Sequence, residues 1–331
     1  MLTDGDAGMN ADDTTQLTPL VAGYWAKARP PEGSAHAWHP FLWHSLDVAA
    51  CAEAILDRHV PLAGRLRGLA VGADLRALVT ALALLHDLGK LSRFQEQAPD
   101  PVRLATDQTH HRTRSADPRR HTDTGLALWH AHIAGALDLD FDARLALDGL
   151  MPGVFGHHGG PAHVTGQEDA TVLGSETDTA DRAHALTFAR WALTGFAGTA
   201  TPDALAAPLG ELDEPALGRL SFLVAAVVNL ADWLGSDATR FPYASPDMAI
   251  ATYWRDHAQP QAARAVAESG VIPAPAPTRT SFADLFPDRA PRPLQAFADT
   301  VPLPDGQGLV LVEDVTGSGK TEAADVLAAR M

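Results

Sequence analysis

The chain contains 331 residues, of which 41 are acidic and 25 are basic, so its formal net charge is −16 at pH 7. This balance argues against a simple electrostatic DNA-binding domain, which normally carries a basic patch. Cys51 is the only cysteine, so an internal disulfide and a thiolate zinc site are both excluded. The first residues lack the basic start and apolar core of a signal peptide, and no apolar run suggests a membrane span. The composition therefore predicts a cytoplasmic protein that is not anchored in a membrane.

The sequence predicts one mainly α-helical domain over residues 16–258, preceded by a flexible tail. Residues 1–15 are rich in Asp, Gly, Thr and Asn, which is typical of a frayed terminus. Long alanine- and leucine-rich segments follow at helical spacing, with few alternating strands before residue 308.

Three candidate metal ligands lie on the first predicted helices. His44 starts a segment whose apolar residues repeat at helical spacing. His86 and Asp87 close the apolar run Leu78–Leu85, and Gly89 is predicted to end that helix. A carboxylate beside an imidazole is costly there unless a cation or hydrogen bonds compensate it. For this pair alone, a capping Asp beside a surface His explains the sequence equally well.

Further histidines and an aspartate follow along the chain. His157 and His158 lie between glycines, which allow the backbone to approach an ion closely. Asp232 lies in an apolar helical segment, and a buried aspartate requires a partner. Each residue alone is more often a satisfied core group than a ligand, but their joint presence on separate helices favours a metal site. The candidate ligands are His44, His86, Asp87, His121, His157, His158 and Asp232.

These residues resemble the HD phosphohydrolase superfamily, whose helical sites bind metal through separated histidines, an adjacent His-Asp pair and a distal aspartate. Five segments together resemble, more specifically, the HD nuclease of the type I CRISPR-associated helicase-nuclease family. They begin at His44, His86, Arg120, Gly156 and Asp232. The resemblance covers roughly residues 36–240, and it implies an HD-superfamily helical fold.

The resemblance also implies two divalent metal ions, with Asp87 as the carboxylate that bridges them. The implied partners are His44, His86 and Asp232 for one ion, and His121, His157 and His158 for the other. Histidines combined with carboxylates favour Mn²⁺, Fe²⁺, Co²⁺, Ni²⁺ or Zn²⁺ over Mg²⁺. The implied activity is hydrolysis of phosphodiester bonds in single-stranded DNA, as an endonuclease or exonuclease. The implied partners in this antiviral defence are an RNA-guided CRISPR surveillance complex and a helicase domain in cis.

Basic residues near these ligands have two possible roles. Lys90 lies about one turn beyond His86 and is predicted to neutralise a phosphate oxygen during catalysis. The alternative is a helix C-terminal cation favoured by the helix dipole. Arg112 and Arg114 lie in a segment rich in arginine and histidine, which is predicted to guide a DNA strand toward the metals. The alternative there is a solvated loop.

The C-terminal part predicts a linker followed by the start of a nucleotide-binding domain. Residues 259–304 are rich in Pro and Ala, which is typical of a stiff, extended linker. Gln295 within it resembles the glutamine motif with which superfamily 2 helicases recognise adenine. Residues 305–331 combine a predicted buried strand, Gly308–Asp314, with a phosphate-binding loop. The nucleotide-binding residues of that loop are Gly317, Ser318, Gly319, Lys320 and Thr321.

The phosphate-binding loop has one unusual residue and little chain after it. Asp314 stands where Gly or Ala is usual and adds a negative charge near the expected phosphates. One strand and one short helix cannot form a nucleotide-binding domain. The sequence therefore predicts the truncated beginning of a RecA-like α/β helicase domain, with ATP and Mg²⁺ bound only in an intact helicase. The alternative is a natural chain completed by a partner in trans.

Two other functions stay open at this point. One is an HD-family phosphohydrolase acting on nucleotides or cyclic nucleotides, against which the attached phosphate-binding loop and the His157-His158 pair argue. The other is a non-catalytic recruitment module that retains the fold for docking. Candidate ligands at all seven positions argue against that module.

Overall fold

The computed structural model describes residues 11–106, 119–164, 169–273, 280–303 and 309–331. These ranges are mostly helical, as predicted, and the chain divides into two units, Met1–Ile272 and Pro273–Met331. Within the described ranges, β structure is limited to a short antiparallel ribbon in which Trp25 pairs with Pro40.

The elements of the first unit follow in chain order. They are α1 (Ala11–Ala22), β1 (Trp25–Lys27), β2 (His39–Pro40), α2 (Phe41–Arg58), α3 (Val60–Leu69), α4 (Leu75–Leu85), α5 (Asp100–Ala105), α6 (His121–Leu128), α7 (Phe141–Phe155), α8 (Asp169–Glu176), α9 (Thr179–Trp191), α10 (Pro202–Ala206), α11 (Glu214–Gly235), α12 (Ile250–Tyr253) and α13 (Gln259–Glu268). Short 3-10 helices span Leu88–Lys90, Arg93–Gln97, Ala134–Ala136 and Ala207–Leu209, and π-helical turns span Trp129–Ile133, Ala192–Phe196 and Trp254–Ala258.

Helix α2 is the central helix of the first unit. It is buried along most of its length and packs against α4, α11 and α13. Small side chains such as Ala49 and Ala52 let neighbouring helices approach it closely. Trp43 stacks on Tyr253 with ring centroids 4.3 Å apart, and its indole N–H donates to the carbonyl of Ser245. This packing fixes the helix that carries His44.

Both ends of the first unit extend beyond the predicted domain. Helix α1 begins at Ala11 and buries Leu17 and Leu20, so residues 11–15 of the predicted tail are helical. Helix α13 occupies the start of the predicted linker and packs against α2. Ala262, Ala265 and Val266 give α13 a buried apolar face at helical spacing, which an extended linker would leave exposed.

Helix α11 has the length and composition of a membrane span, so the prediction that the chain contains no such apolar run was wrong. Its 22 residues have a mean hydropathy of 1.5 in the most apolar window, one third of which is buried. One such helix is weak evidence for a membrane span, because core helices of soluble proteins can have the same length and composition. Here α11 packs against α2 and α7, and its Asp232 is buried.

The second unit has three described helices, α14 (Phe282–Leu285), α15 (Pro293–Thr300) and α16 (Lys320–Arg330). Phe282, Ala298 and Val326 form the centre of its small apolar core. The predicted buried strand does not form in its described part, 309–314, where Leu311 is 79% exposed. A strand needs a neighbour to satisfy its backbone groups, and the described residues of this unit contain none.

Candidate metal centre

The seven predicted ligands lie together in the first unit, supplied by five helices. His44 lies on α2, and His86 and Asp87 follow the end of α4. His121 begins α6, His157 and His158 follow α7, and Asp232 lies near the end of α11. We refer to these seven residues as the His/Asp cluster.

Two glycines bring α6 close to the turn that follows Asp87. Gly89 does not end α4 as predicted, because α4 already ends at Leu85. It lies instead in the 3-10 helix Leu88–Lys90, where a Cβ atom would collide with the backbone carbonyl of His121. Gly125 of α6 lies opposite, and a Cβ atom there would lie 3.2 Å from the Gly89 nitrogen. The absence of both side chains allows His121 to reach Asp87.

Asp87 lies at the centre of the cluster, and its two carboxylate oxygens face different histidines. Oδ2 lies 3.2 Å from His44 Nε2 and 3.4 Å from His86 Nε2. Oδ1 lies 3.2 Å from His121 Nε2 and 3.4 Å from His157 Nε2. The carboxylate therefore separates the histidines into two pairs.

Each pair of histidines has a further partner. Asp232 Oδ1 lies 3.5 Å from His44 Nε2 and 3.6 Å from His86 Nε2, so it faces the first pair. On the other side, His158 Nε2 lies 3.2 Å from His121 Nε2, which is 3.4 Å from His157 Nε2. Ligand atoms within each group lie within 4.8 Å of one another, close enough to share an ion.

The cluster fits a metal because several of its buried polar atoms lack hydrogen bonds. Within the described ranges, neither oxygen of Asp87 nor Nε2 of His86 has a partner in hydrogen-bonding geometry, although side chains lie nearby. Burying such atoms without compensation is costly. His86 Nδ1–H donates to the carbonyl of Ala83 at 2.8 Å, which leaves the lone pair of Nε2 free for a ligand bond. A divalent cation would compensate all of these atoms at once.

Comparison with known proteins identifies the fold and its family. The protein family described as "Cas3, HD domain" matches residues 25–241, which include the whole His/Asp cluster. The chain belongs to the Cas3 HD-domain family. Membership of this family makes the chain a metal-dependent HD hydrolase of the nuclease type.

Two curated relatives of this Cas3 HD domain are both named "CRISPR-associated endonuclease/helicase Cas3". The protein from Escherichia coli is 29% identical over 92% of this chain and 36% of its own length. The protein from Thermus thermophilus is 32% identical over 91% of this chain and 31% of its own length. The chain therefore spans about a third of the length of these relatives.

Solved structures of similar proteins share the fold. A structure of T. fusca Cas3 with ADP matches with a TM-score of 0.62 and 26% identity, over 93% of this chain and 34% of that one. The Cas3 HD domain of Thermus thermophilus, crystallised in the presence of Ni²⁺, matches with a TM-score of 0.51 and 23% identity. That match covers 80% of this chain and 96% of the solved one, and at this identity it shows the fold alone.

Electrostatic interactions in this Cas3 HD domain keep Asp87 and Asp232 ionised. Burial would raise the pKa of Asp87, but Lys90 and His86 outweigh it and hold that pKa well below its usual range. Burial lowers the pKa of His44 and of His121 to about 4, so both imidazoles are neutral near pH 7. Burial would also lower the pKa of His86, yet Asp87 and Asp232 raise it to about 9. Without a metal ion, protonated His86 and Lys90 thus balance the two carboxylates, and a bound cation would replace the proton on His86 Nε2.

Lys90 lies inside the site rather than on the surface. Its side chain is 10% exposed, and its ammonium lies 2.5 Å from Asp87 Oδ2. The same ammonium donates to the carbonyl of Ala26 at 3.4 Å and lies 5.4 Å from the ring centroid of Phe94. This position argues against a purely surface role as a helix C-terminal cation.

Sequence reasoning missed two residues beside the cluster. Ser236 donates its hydroxyl hydrogen to Asp232 Oδ1 at 2.9 Å, one helical turn after that carboxylate. Lys27 of β1 donates to the carbonyl of Gly235, and burial, together with Lys90, lowers its pKa to about 8. The scarcity of lysine in the sequence was a signal, since only three occur and Lys90 is one of them.

A hydrogen-bonded group supports the helix that carries His44. Asp47 is fully buried and accepts from Tyr253 at 2.8 Å, while His39 Nε2 lies 2.9 Å from its other oxygen. His39 also stacks on Tyr243. This group packs beside the cluster without joining it, and the i, i+3 spacing of His44 and Asp47 could have indicated it.

The predicted nucleotide-binding residues meet within the second unit. A cavity of about 630 Å³ is lined by Gln295, Gly317, Gly319, Lys320 and Thr321, and Ser318 lies between two of these. The ammonium of Lys320 donates to two carbonyls of its own loop, those of Asp314 and Val315. The predicted DNA-guiding residues Arg112 and Arg114 lie outside the described residues.

Proposed function

We propose that this Cas3 HD domain hydrolyses phosphodiester bonds of single-stranded DNA in type I CRISPR interference, as an endonuclease or exonuclease. The observation that carries the proposal is the position of Asp87, whose two oxygens face two separate histidine pairs. A carboxylate in this position is suited to bridging two cations. Both relatives are named endonuclease/helicase, which supports nucleic acid as the substrate.

The proposed site would hold two divalent transition-metal ions, Mn, Fe, Co, Ni or Zn, and Asp87 would contribute its carboxylate to both. His44, His86 and Asp232 would hold one ion, and His121, His157 and His158 the other. When bound, such ions lower the pKa of water and stabilise negative charge on a phosphate. The chain itself orients the imidazoles through backbone hydrogen bonds, as His86 shows, and excludes water by burying Asp87.

Lys90 is the proposed catalytic residue beside Asp87. Its ammonium holds the carboxylate ionised and provides positive charge at the edge of the cluster. In this position it would neutralise a phosphate oxygen of the substrate as negative charge develops during hydrolysis.

The proposed partners follow from the longer relatives. A helicase domain in cis would bind ATP and Mg²⁺, with Gln295 near the adenine and Lys320 and Thr321 near the phosphates. The 630 Å³ cavity that these residues line supports this assignment. An RNA-guided surveillance complex would deliver the DNA, and the arginine-rich segment with Arg112 and Arg114 would guide the strand in a cytoplasmic setting.

Cleavage of circular single-stranded DNA tests the proposal directly. The purified chain should open the circle with Mn²⁺ or Ni²⁺ and stop when EDTA is added, because the cluster needs cations. Asp87→Ala should abolish the cleavage, since it removes the carboxylate that serves both histidine pairs. Asp138→Ala is the matched control, because Asp138 is exposed and its loss should leave the rate unchanged. Full activity in Asp87→Ala would refute the site, and hydrolysis of free nucleotides alone would favour a nucleotide phosphohydrolase.

A further inference from the structure

A cavity of about 510 Å³ opens beside the His/Asp cluster in the first unit. Its walls come from three parts of the chain that are distant in sequence. Lys27 and Arg29 belong to β1 and the residues after it, Gln97 and Pro99 precede α5, and Ser236 and Tyr243 follow α11. None of these residues belongs to the proposed metal ligands.

The lining of this cavity carries positive charge without a neutralising carboxylate. Lys27 donates to the carbonyl of Gly235 at 3.3 Å and makes no ion pair with any described residue. The exposed guanidinium of Arg29 has no partner in the described ranges. By contrast, the cavity beside Arg240 contains Glu268, and the two side chains lie 3.0 Å apart. Lys27 also interacts electrostatically with Asp232 and Asp87 of the cluster, whereas Arg29 faces the open cavity. In a chain with a net charge of −16, a cavity lined by two basic side chains and by no carboxylate indicates an anion as the ligand.

Two residues that line the cavity, Ser236 and Lys27, connect it to the His/Asp cluster. Ser236 lines the cavity and donates to Asp232 Oδ1 at 2.9 Å. Lys27 follows Ala26, whose carbonyl accepts from the ammonium of Lys90. An anion bound by Lys27 would therefore lie next to the metal site without occupying it. Two successive phosphates of one strand could then bind at the two places.

The remaining wall is aromatic and held rigidly. Tyr243 stacks on His39, with ring centroids 5.2 Å apart, and its hydroxyl donates to the carbonyl of Arg29 at 3.1 Å. Trp25 packs against Phe94, and its indole N–H donates to the carbonyl of Gln95. Trp25 and Tyr243 are each 7% exposed, so they give the cavity a rigid wall beside its positive charge.

We propose that this cavity is a subsite for the nucleotide that adjoins the scissile phosphodiester bond. Arg29 and Lys27 bind its phosphate, while the exposed edges of Trp25 and Tyr243 contact its sugar. The proposal rests on the proposed nuclease function, because it places the subsite relative to the bond that is cut.

Binding of a fluorescein-labelled oligothymidylate at several salt concentrations tests the subsite without requiring cleavage. Arg29→Ala is the first variant, because Arg29 is exposed and its loss should not disturb the fold. The double variant Lys27→Ala/Arg29→Ala removes both cations. The matched control is Arg65→Ala/Arg67→Ala, which removes two exposed cations from α3.

Loss of a phosphate contact should lower the affinity at low salt and flatten its salt dependence. Each lost contact should reduce the slope of log K against log salt by about 0.7. We expect this reduction in Arg29→Ala, a weakening of about tenfold or more in the double variant, and wild-type behaviour in the control. An unchanged slope in the double variant would overturn the subsite, as would failure of the wild-type chain to bind the oligonucleotide.

A second pair of substrates separates the subsite from the proposed function. Bis(p-nitrophenyl) phosphate is a phosphodiester without a neighbouring nucleotide, so Arg29→Ala should change the KM for this substrate less than the KM for the oligonucleotide. The same variant should show a raised KM for the oligonucleotide. Equal losses on both substrates would contradict the subsite. If the wild-type chain hydrolyses neither substrate, the nuclease proposal fails, and the salt slopes alone then decide whether the cavity binds a strand.

Discussion

Asp87 shows why single residues are hard to interpret from sequence and clear in three dimensions. The sequence indicated that a carboxylate beside an imidazole at a buried helix end needs compensation. It could not show that each carboxylate oxygen faces its own pair of histidines, because those histidines come from α2, α6 and the ends of α4 and α7. That arrangement depends on how the helices pack, which local context does not encode.

The lysines differ in the same way. Lys90 was predicted to act at the site because it follows His86 by about one turn. Lys27 was not, because it lies on a strand of three residues that carries no motif. It reaches the cluster only because β1 packs against α2, so long-range contacts place it there.

Lys90→Met should reduce cleavage about 100-fold while the metal content stays near the wild-type value. Lys90 contacts Asp87 but, as an ammonium, cannot ligate a cation, so its loss removes charge stabilisation rather than a ligand. Turnover and bound metal should be measured on the same preparation. Parallel loss of metal and activity would show instead that Lys90 acts only by holding Asp87 in place.

At the scale of elements, helices were predictable where apolar residues repeat at helical spacing. The runs containing His44 and Asp232 are helical as expected, in α2 and α11. The strand predicted at Gly308–Asp314 is absent from its described part, because aliphatic composition favours a strand only when neighbours pair with it. The prediction of an extended linker was wrong at its start, where α13 forms. The apolar face of α13 is small, and the surrounding alanines and prolines obscure its helical spacing.

Gly89→Ala should destabilise the first unit by about 1–3 kcal/mol, because the added methyl group would collide with the carbonyl of His121. Cleavage should fall as well, since α6 must move and take His121 with it. Urea denaturation in EDTA measures the free energy of unfolding without a contribution from metal.

Gly68→Ala is the matched control for that experiment. Gly68 lies in α3 with open space around its Cβ position, so this substitution should stabilise the helix by roughly 0.5–1 kcal/mol. Similar effects of the two substitutions would show that the close approach of the Leu88–Lys90 turn to α6 is not needed.

For the whole molecule, metal binding should be linked to folding, because the ligands come together only in the folded chain. A free metal concentration 100 times the Kd of one site contributes about 2.7 kcal/mol of stability. For a domain of this size, that corresponds to a rise in Tm of roughly 5–10 °C.

Thermal unfolding with Mn²⁺ or Ni²⁺, and again after EDTA, measures this rise. Asp87→Asn should abolish it, because the carboxylate that serves both histidine pairs is lost, and this variant should unfold at a lower temperature than the metal-free wild type, because Lys90 and His86 lose their anionic partner. A rise of the same size in Asp87→Asn would place the bound metal elsewhere on the protein.

The central position of α2 means that its packing can be completed only late in synthesis. This helix lies near the start of the chain, yet α11 and α13, which cover it, are translated near the end of the first unit. Contacts between segments that are distant in sequence form slowly, and uncovered apolar helices are prone to aggregation. Helix α2 therefore stays partly uncovered while α11 and α13 are being synthesised. We expect chaperones to bind the nascent chain until α13 has emerged.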